Sequence, residues 1–399
     1  MSSAGSKRVL IISTMGGHPW GGSEYLWKDI AERLLASGHH VEVSVYGWGA
    51  KTSEQIQALT AQGITIRTRA KIYAPQLLLK PYALFNRHFS AARQIKRDLR
   101  RARPDFVLIS CGSLSDLLLP GLPEALTARP PRAHRPPYEV IFHANLEQQT
   151  FPADQLDRIR AFLNGARRAL FVSHRLIQQA QRQLAWEGNN AQLVHNPVNL
   201  DFEKAGAMPW LQQSAENVVH WACVGRLEAS IKGQLILLQV LARPKWKARN
   251  WTLEFFGEGP DRDLIQAAID RYELGDRITL CGFVNDVATI WRKNHALILP
   301  SYYEGQPLVL QEAMACGRVG IGTDVGGMAD LLDESKGTGF LVAAPLPDAL
   351  DAAMERAWAA RNDWESIGQR ARAHLNAFRG NDPVGDFAAG LLEENTAQT

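Results

Sequence analysis

The chain has 399 residues, of which 46% are hydrophobic and 21% are charged, and its formal net charge is +3. This composition excludes a disordered chain, and the length predicts two domains because a single hydrophobic core stops growing well below it. No apolar run is long enough to cross a bilayer, no signal-peptide pattern opens the sequence, and the four cysteines follow no metal-ligand or disulfide spacing. We therefore expect a cytoplasmic protein with reduced thiols.

The first half of the chain alternates strand and helix patterns. An apolar run at residues 9–12 leads into a glycine-rich loop, and helical spacing of apolar residues then continues to Leu35. Period-two alternation indicates a second strand at residues 41–45. Further apolar runs predict strands at residues 63–68, 106–110, 138–144 and 169–174.

The second half repeats this alternation, with strands predicted at residues 218–224, 252–257, 278–283, 296–300, 319–323 and 339–342. Strands that alternate with helices form parallel sheets from βαβ units, so we predict an α/β protein with two doubly wound domains. We assign residues 1–200 to an N-terminal domain, residues 201–378 to a C-terminal domain and residues 379–399 to a final helix. Ligands of such sheets bind beyond the carboxyl ends of the strands.

Residues 296–312 carry the most informative pattern in the chain. The apolar run ends at Pro300, Glu304 and Gly305 follow in a loop, and a helix that begins near Pro307 carries Glu312. The start of a helix presents free N–H groups and suits a phosphate, whereas carboxylates suit neutral hydroxyl groups. Together these features predict a nucleotide-sugar pocket. The simpler alternative is a turn with two glutamates spaced by chance.

Two cations follow the first predicted strand of the second half. Arg226 and Lys232 stand next to Gly225 and Gly233 and are separated by a short loop. An arginine fork and a lysine ammonium group at this place could neutralise a diphosphate while its bond to a sugar breaks. Because the leaving-group charge develops in the transition state, the pair should affect the chemical step more than binding. The alternative is a pair of surface bases.

Several short motifs follow one another in a specific order. The second half contains Val224-Gly225-Arg226-Leu227 with Lys232-Gly233, Phe256-Gly257-Glu258-Gly259-Pro260, Cys281-Gly282-Phe283-Val284, Pro300-Ser301-Tyr302-Tyr303-Glu304-Gly305-Gln306-Pro307, Glu312-Ala313-Met314-Ala315-Cys316-Gly317 and Thr323-Asp324-Val325-Gly326-Gly327. The first half adds Gly21-Gly22-Ser23-Glu24, His143, Ser173-His174 and Asn196-Pro197-Val198. In this order the motifs resemble family 4 of the glycosyltransferases, over about residues 9–375. The resemblance implies the GT-B architecture, with two Rossmann-like domains, an interdomain cleft and a C-terminal helix that crosses back to the first domain.

The resemblance also implies roles for individual residues. Arg226 and Lys232 would stabilise the leaving diphosphate, and His143 would contact the donor sugar or the acceptor. Glu304 would face the donor sugar, and Glu312 would bind the ribose hydroxyl groups. The other donor-binding residues, for which ordinary turn packing is the alternative, are Gly21, Gly22, Gly257, Gly259, Phe283, Val284, Gly305, Pro307, Leu308 and Val309.

The implied reaction is a retaining transfer of a sugar from a nucleotide-diphosphate sugar to a hydroxyl acceptor. Retention commonly uses a carboxylate nucleophile, and no clear candidate stands out. The resemblance instead implies that the acceptor attacks on the face that the diphosphate leaves, and that a donor phosphate oxygen takes the proton. We identify no evident Asp-x-Asp metal site and expect neither a metal nor another cofactor. We expect Lys232→Ala to lower turnover far more than donor affinity.

The positive charge of the chain is unevenly spread. Residues 67–135 hold fourteen Lys or Arg and four Asp or Glu. Apolar residues recur at helical spacing there, which favours a solvated helix face. The alternative is contact with an anionic or lipid-linked acceptor, or peripheral contact with the inner face of a membrane. No nucleic-acid-binding motif accompanies the charge, so we expect no nucleic-acid partner.

One departure from the family pattern lies at residues 319–323. The family commonly has proline and then β-branched residues, whereas this chain has Val319-Gly320-Ile321-Gly322-Thr323. Each glycine is expected to weaken the strand by roughly 0.5–1 kcal/mol.

Two other functions remain open from the sequence. A non-catalytic sugar-nucleotide-binding protein is disfavoured by the intact set of Arg226, Lys232, Glu304 and Glu312. A dinucleotide oxidoreductase is disfavoured because residues 16–21 lack the Gly-x-Gly-x-x-Gly spacing.

Overall fold

A computed structural model describes residues 5–16, 19–49, 52–70, 93–119, 121–127, 135–198, 200–212 and 217–392. The chain divides into two compact units. The N-terminal unit comprises residues 1–197 together with 382–399, and the C-terminal unit comprises residues 198–381. These boundaries differ by a few residues from those assigned from the sequence.

The N-terminal unit is built on a parallel sheet of seven strands. The strands are β1 (Arg8–Ser13), β2 (His40–Tyr46), β3 (Thr65–Arg69), β4 (Phe106–Cys111), β5 (Tyr138–Phe142), β6 (Ala169–Phe171) and β7 (Ala191–Leu193). Their order across the sheet is β3-β2-β1-β4-β5-β6-β7. The helices between them are α1 (Glu24–Ala36), α2 (Glu54–Ala61), α3 (described over 93–102), α4 (Leu122–Thr127), α5 (Ala153–Gly165) and α6 (His174–Leu184), with a 3₁₀ turn at Leu114–Leu118.

The central strands of this sheet form because they are apolar on both faces. Every residue of β4 and β5 is buried, as expected for strands covered by helices on both sides. β6 ends at Phe171, so the predicted strand 169–174 is too long. Ser173 instead caps α6, with its hydroxyl accepting from the N–H of Leu176, and His174 is the first residue of that helix rather than part of the strand.

The C-terminal unit is built on a parallel sheet of six strands. The strands are β8 (Val219–Val224), β9 (Trp251–Phe256), β10 (Ile278–Gly282), β11 (Ala296–Leu299), β12 (Val319–Thr323) and β13 (Phe340–Val342), in the order β10-β9-β8-β11-β12-β13. The helices are α7 (Phe202–Gly206), α8 (Ala229–Lys232), α9 (Gln234–Leu241), α10 (Pro244–Lys247), α11 (Arg262–Arg271), α12 (Ala288–Trp291), α13 (Leu308–Ala315), α14 (Met328–Leu331), α15 (Pro347–Ala359) and α16 (Trp364–Arg379), with a 3₁₀ turn at Arg361–Asp363. Two doubly wound parallel sheets were predicted, and the fold class is confirmed.

The strand order reverses direction at one place in each sheet. In the N-terminal unit the reversal lies between β1 and β4, and in the C-terminal unit it lies between β8 and β11. Crossover helices leave such a neighbouring pair of strands in opposite directions, so a crevice opens beyond their carboxyl ends. The loops after β8 and β11 are therefore the natural ligand site of the C-terminal unit.

The last helix, α17 (Pro383–Leu391), belongs to the N-terminal unit, as predicted. Its apolar residues Val384, Phe387 and Leu391 join the core of that unit. Arg33 of α1 binds Asp382 at 2.8 Å through both of its terminal nitrogens, and Arg167 donates to the carbonyl oxygen of Leu391. Apolar burial and charge pairing both attach the C-terminal end of the chain to the first unit.

The two glycines of β12 have a packing role. β12 forms over all five predicted residues and pairs with both β11 and β13. A Cβ atom at Gly320 would overlap the side chain of Leu310 in α13, and one at Gly322 would lie 2.9 Å from the sulfur of Met328. Helix side chains thus occupy the space that strand side chains would fill, and the expected cost of each glycine to the stability of the strand stays a prediction.

Helices α1–α17 include none that is long and apolar enough to cross a membrane, within the residues that the structure describes. Much of the basic stretch, residues 71–92, lies outside the described residues. In the described part, α3 exposes Arg93, Lys96, Arg97, Arg100 and Arg101 and turns Ile95 and Asp98 inward. The favoured interpretation, a solvated basic face on an amphipathic helix, agrees with this arrangement.

Candidate functional site

The predicted site residues of the C-terminal unit gather beyond the carboxyl ends of its strands. β8 ends at Val224 and is followed by Arg226, and β11 ends at Leu299 and is followed by the loop that carries Glu304. β8 and β11 are neighbours at the point where strand order reverses. Residues that are far apart in sequence therefore meet at the crevice where ligands of this fold class bind.

Glycines allow these loops to approach one another closely. A Cβ atom at Gly233 would overlap the carbonyl oxygen of Pro300, and one at Gly326 would overlap that of Glu304. A Cβ atom at Gly257 would overlap the carbonyl oxygen of Gly225. A Cβ atom at Gly259 would likewise overlap the carbonyl oxygen of Leu227. The predicted donor-binding residues Gly257 and Gly259 thus have a packing role, since they support the loop that holds Arg226.

Lys232, Glu304 and Ser301 form one hydrogen-bonded cluster. The Lys232 Nζ donates to Oε1 of Glu304 at 2.7 Å, and the Ser301 hydroxyl donates to the same oxygen at 2.7 Å. The Lys232 and Glu304 side chains are 25% and 10% exposed, whereas Ser301 is fully buried. Two predicted residues are thus in direct contact, and Ser301 is a third member of the cluster that was not predicted from the sequence.

Arg226 lies beside this cluster on the loop after β8. Its side chain is 39% exposed, and its Nε lies 3.3 Å from a carboxylate oxygen of Glu228. A hydrogen bond holds its backbone in place, because the buried Gln234 side chain donates to the Arg226 carbonyl oxygen at 2.8 Å. A fixed backbone with a solvent-accessible guanidinium group suits the binding of an incoming anion.

Asp261 supports the same loop, since its carboxylate accepts from the Ala229 N–H at 2.8 Å. Asp261 and Asp263 do form an Asp-x-Asp sequence, which the sequence analysis did not identify. No group of three or more His, Cys, Asp or Glu that could hold a metal ion occurs within the described ranges. Metal independence stays a prediction.

Glu312 is a buried carboxylic acid on the second turn of α13. It is 9% exposed, and its side chain has no hydrogen-bond or ion-pair partner among the residues that the structure describes. Burial raises its pKa to about 7. The α13 helix follows Pro307, and Gly305 precedes that proline, so the first-turn N–H groups of Leu308 and Val309 have no acceptor within the helix. N–H groups that could receive an anion therefore lie on the same short helix as Glu312.

Phe283 and Val284 follow β10 at the far edge of the same sheet. Phe283 is 69% exposed, although it is a large apolar side chain, and Val284 packs partly against the core. The carbonyl oxygen of Gly282 accepts from the Gly257 N–H at 2.7 Å, which joins the ends of β9 and β10. An exposed phenylalanine at a carboxyl edge is a suitable contact for a planar ring.

His143 follows β5 in the N-terminal unit. It is 8% exposed, and its backbone N–H donates to the Cys111 carbonyl at 3.1 Å. Its imidazole Nε2 shares a hydrogen bond with the Ser110 hydroxyl at 3.1 Å. Burial lowers the pKa of its imidazole to about 4, against a smaller opposing effect of Asn196. His143 is therefore neutral near pH 7 and can donate or accept a hydrogen bond there, but it adds no charge.

Gly21 and Gly22 lie in the loop between β1 and α1. Gly21 is half-buried and its carbonyl oxygen accepts from the Glu24 N–H at 3.0 Å, and Gly22 is exposed. Their Cβ-free backbones lie at the carboxyl edge of β1, at the strand reversal of this sheet. Their predicted contact with a donor stays a prediction.

Glu24 and Arg69 form a buried polar centre behind this loop, which the sequence analysis did not identify. Glu24 accepts from the Ser13 hydroxyl at 3.0 Å and from the Trp27 indole N–H. Burial raises the pKa of Glu24 to about 7, although those hydrogen bonds and the charge of Arg69 oppose the rise. Arg69 is 3% exposed, donates to the Ser13 carbonyl and lies 4.6 Å over the Tyr46 ring.

Two family models match the chain, one in each unit. The model described as "Glycosyltransferase Family 4" matches residues 20–202, and the model described as "Glycosyl transferases group 1" matches residues 219–360. Together they span most of the described chain.

Individual relatives are similar over parts of the sequence. The 2-deoxystreptamine glucosyltransferase of Streptomyces kanamyceticus is 30% identical over 229 residues, which is 52% of this chain and 58% of that protein. The alpha-D-kanosaminyltransferase of the same organism is 28% identical over 175 residues, which is 43% of this chain and 44% of that protein. The matched segments therefore span about half the length of these relatives.

Among solved structures, the Anabaena protein HepE in complex with UDP superposes with a TM-score of 0.70 and 18% identity, over 96% of this chain and 99% of that one. At this identity the likeness shows a shared fold, and the predicted GT-B architecture is confirmed.

Proposed function

The chain belongs to the group 1 type of glycosyltransferase family 4. From this premise we propose that it transfers a sugar, with retention, from a nucleotide-diphosphate sugar to a hydroxyl group of an acceptor. The observation that carries the proposal is the contact of Lys232 with Glu304 beyond the strand reversal of the C-terminal sheet. A cation suited to a diphosphate and a carboxylate suited to a sugar hydroxyl are there joined by one hydrogen bond.

Lys232 and Arg226 serve the diphosphate in this proposal. Each is paired with a carboxylate, Lys232 with Glu304 and Arg226 with Glu228. A diphosphate competes for both cations because its charge is larger than that of one carboxylate. Negative charge on the diphosphate grows as its bond to the sugar breaks, so both cations stabilise the transition state more than the ground state.

Glu304 and Glu312 serve neutral hydroxyl groups. Oε1 of Glu304 already accepts two hydrogen bonds, and Oε2 has no partner among the described residues. Oε2 is therefore the atom that accepts from a donor-sugar hydroxyl. Burial alone raises the pKa of Glu312 to about 7, so ribose hydroxyl groups would supply hydrogen bonds to a carboxyl group whose ionised form burial disfavours.

The chemical step needs no protein nucleophile in this proposal. The bond between the anomeric carbon and the diphosphate oxygen breaks, and the acceptor oxygen forms a bond to the same face of that carbon. The acceptor proton passes to a phosphate oxygen of the departing diphosphate. The protein contributes orientation and electrostatic stabilisation, with neutral His143 as a hydrogen-bonding contact for a sugar hydroxyl.

The named relatives and neighbours suggest which donor to test first. One relative is named for a glucosyl group and 2-deoxystreptamine, and another for a kanosaminyl group. HepE was also solved with UDP-glucose. UDP-glucose is therefore the first donor in our test, and its acceptor is a polyhydroxylated compound.

A thermal-shift panel tests the proposal. UDP, GDP, ADP and dTDP are compared with their glucose conjugates at increasing concentrations. Ligand linkage predicts a stabilisation of about 2.7 kcal/mol at a hundred times the dissociation constant for the correct base. The same panel is measured with Lys232→Met, which should reduce this stabilisation. Lys336→Met is the matched control, because Lys336 pairs with Asp333 at the surface of the same unit.

The outcomes separate the candidate functions. Stabilisation followed by slow donor hydrolysis or transfer, with the anomeric configuration retained by NMR and activity unaffected by EDTA, supports the full proposal. Stabilisation without turnover on any donor indicates a binding protein instead. A response to a nicotinamide dinucleotide, with none to any sugar nucleotide, would overturn the proposal.

A further inference from the structure

We propose that Ser301 is a positioning residue, which holds the Glu304 carboxylate so that its second oxygen faces the donor sugar. This inference rests on the proposed function. Ser301 follows Pro300 directly after β11 and is fully buried. Its hydroxyl donates to Oε1 of Glu304 at 2.7 Å, the usual length of a hydroxyl bond to a carboxylate.

Lys232 alone fixes the carboxylate less well than Ser301 does. The ammonium group is a point charge on a flexible stem, with three equivalent donors, so it constrains the rotation of a carboxylate poorly. One heavy-atom torsion of a fully buried residue places the Ser301 hydroxyl oxygen, so the position of this donor is more closely defined than that of the Lys232 ammonium group. Both donors meet the same oxygen, Oε1, and leave Oε2 for another partner.

The two donors also differ in what happens when a donor substrate arrives. A diphosphate competes with Glu304 for the positive charge of Lys232, because opposite charges attract at this distance. A neutral hydroxyl group is a weaker target for the diphosphate. The Ser301 bond therefore persists in the loaded site, and Glu304 keeps its orientation while Lys232 moves toward the phosphates. The sugar contact and the diphosphate contact can then form together.

A purely structural role for Ser301 would have different consequences. If the hydroxyl only satisfied its own hydrogen bond, Ser301→Ala would change stability and leave sugar recognition intact. Thr323 provides the matched control. It is also fully buried, at the carboxyl end of the neighbouring strand β12, and its hydroxyl donates to the Leu299 carbonyl at 3.4 Å. Thr323→Val removes a buried hydroxyl without touching Glu304.

The experiment compares Ser301→Ala and Thr323→Val with the wild-type chain. For each, the dissociation constants of UDP and UDP-glucose, kcat and KM, and the Tm are measured, and the best base from the panel above replaces uridine if it differs. Removing a hydrogen bond to a charged group corresponds to roughly a ten- to hundred-fold loss. We expect this loss in kcat/KM for the sugar donor in Ser301→Ala, with the dissociation constant of the free diphosphate changed less than about twofold. Thr323→Val should leave kcat/KM unchanged.

A second comparison tests whether Ser301 acts through Glu304. In a Glu304→Gln background, adding Ser301→Ala should lower kcat/KM by less than about twofold, because the oriented carboxylate is already absent. Three results would each overturn the inference. They are an equal weakening of UDP and UDP-glucose binding in Ser301→Ala, losses of kcat/KM that multiply in the double variant, and full activity of Ser301→Ala. If instead the wild-type chain binds and converts no sugar nucleotide, the proposed function itself fails, and this inference fails with it.

Discussion

The carboxyl edges of the two sheets hold ionisable side chains in contrasting surroundings. In the N-terminal unit, the buried Glu24 carboxyl accepts hydrogen bonds from Ser13 and Trp27. In the C-terminal unit, the buried Glu312 carboxyl has no partner among the described residues, although burial raises both pKa values to about 7. The same shift thus arises in a carboxyl group with two hydrogen-bond donors and in one with none. We therefore expect the second carboxyl group, rather than the first, to be available to a ligand.

Lys232→Met should produce the largest effect on activity. The variant removes a cation from the leaving diphosphate, and the loss of one such donor typically lowers kcat by about 10²–10³. It also leaves the Glu304 carboxylate without its charge partner, so donor affinity should fall as well, by a smaller factor than kcat, as expected from the sequence. Steady-state kinetics and calorimetry with the donor measure both.

The double variant Lys232→Met with Glu304→Gln separates these two effects. It removes the unpaired carboxylate, so the dissociation constant of the free diphosphate should recover toward the wild-type value while kcat stays low. If the single and double variants have the same diphosphate affinity, the coupling of Lys232 to Glu304 has no effect on binding.

Arg69→Met should show the opposite profile, with a large loss of stability and little effect on donor affinity. Removing one partner from a buried polar centre costs about 3 kcal/mol, or roughly 6–12 °C in Tm for a unit of this size. Arg67→Met is the control on the same strand, because Arg67 pairs with Glu42 and both side chains are partly exposed. This variant should lower the free energy of unfolding by less than about 1 kcal/mol. A donor dissociation constant that changed tenfold in Arg69→Met would contradict the contrast between the two units.

Glu312 should make binding of the sugar nucleotide depend on pH. If ribose binds the ionised carboxylate, affinity should increase roughly tenfold from pH 6 to pH 8, because the pKa of about 7 lies between these values. Glu312→Gln should remove this dependence. A raised carboxyl pKa also means that stability decreases as pH rises from 4.5 to about 7, so the variant should flatten the Tm profile in that interval. Equal pH profiles for variant and wild type would contradict the assignment.

His143 should give the smallest pH effect. Its imidazole has a pKa of about 4 and stays neutral from pH 6 to pH 8. His143→Gln should therefore lower kcat/KM by the same factor at both pH values, roughly tenfold if one hydrogen bond is lost. A ratio between the two pH values that differs more than twofold from that of the wild-type chain would show that His143 carries a charge during the reaction.

The sequence predicted most where a local pattern determines the structure. The apolar run at 296–299, Pro300 and the helix after Pro307 lie where expected, because strand, breaker and helix start are encoded within a few residues. The three-residue strand β7 was missed, since a short and partly exposed edge strand leaves little periodicity to detect. Local patterns also gave Arg226 and Lys232 together with Glu304, because glycines and charges follow the ends of adjacent strands.

The rest of the site depends on contacts between distant parts of the chain. Arg69 reaches the Ser13 carbonyl from a different strand, so no local sequence pattern predicts that contact. The partnership of Lys232 with Glu304 joins residues 72 positions apart in sequence. The raised pKa of Glu312 results from burial, which a sequence of helical residues does not reveal. Ser301 could have been noticed from its place directly after the strand, but its direction of donation required the structure.

The position of α17 has a consequence for synthesis of the chain. Val384, Phe387 and Leu391 complete a core whose other members are encoded before residue 198. On the ribosome, the first unit must wait for the whole of the second to be translated before that apolar surface is covered. The C-terminal unit is continuous in sequence and can fold without waiting. The last unit to begin translation is therefore the first that can complete its core.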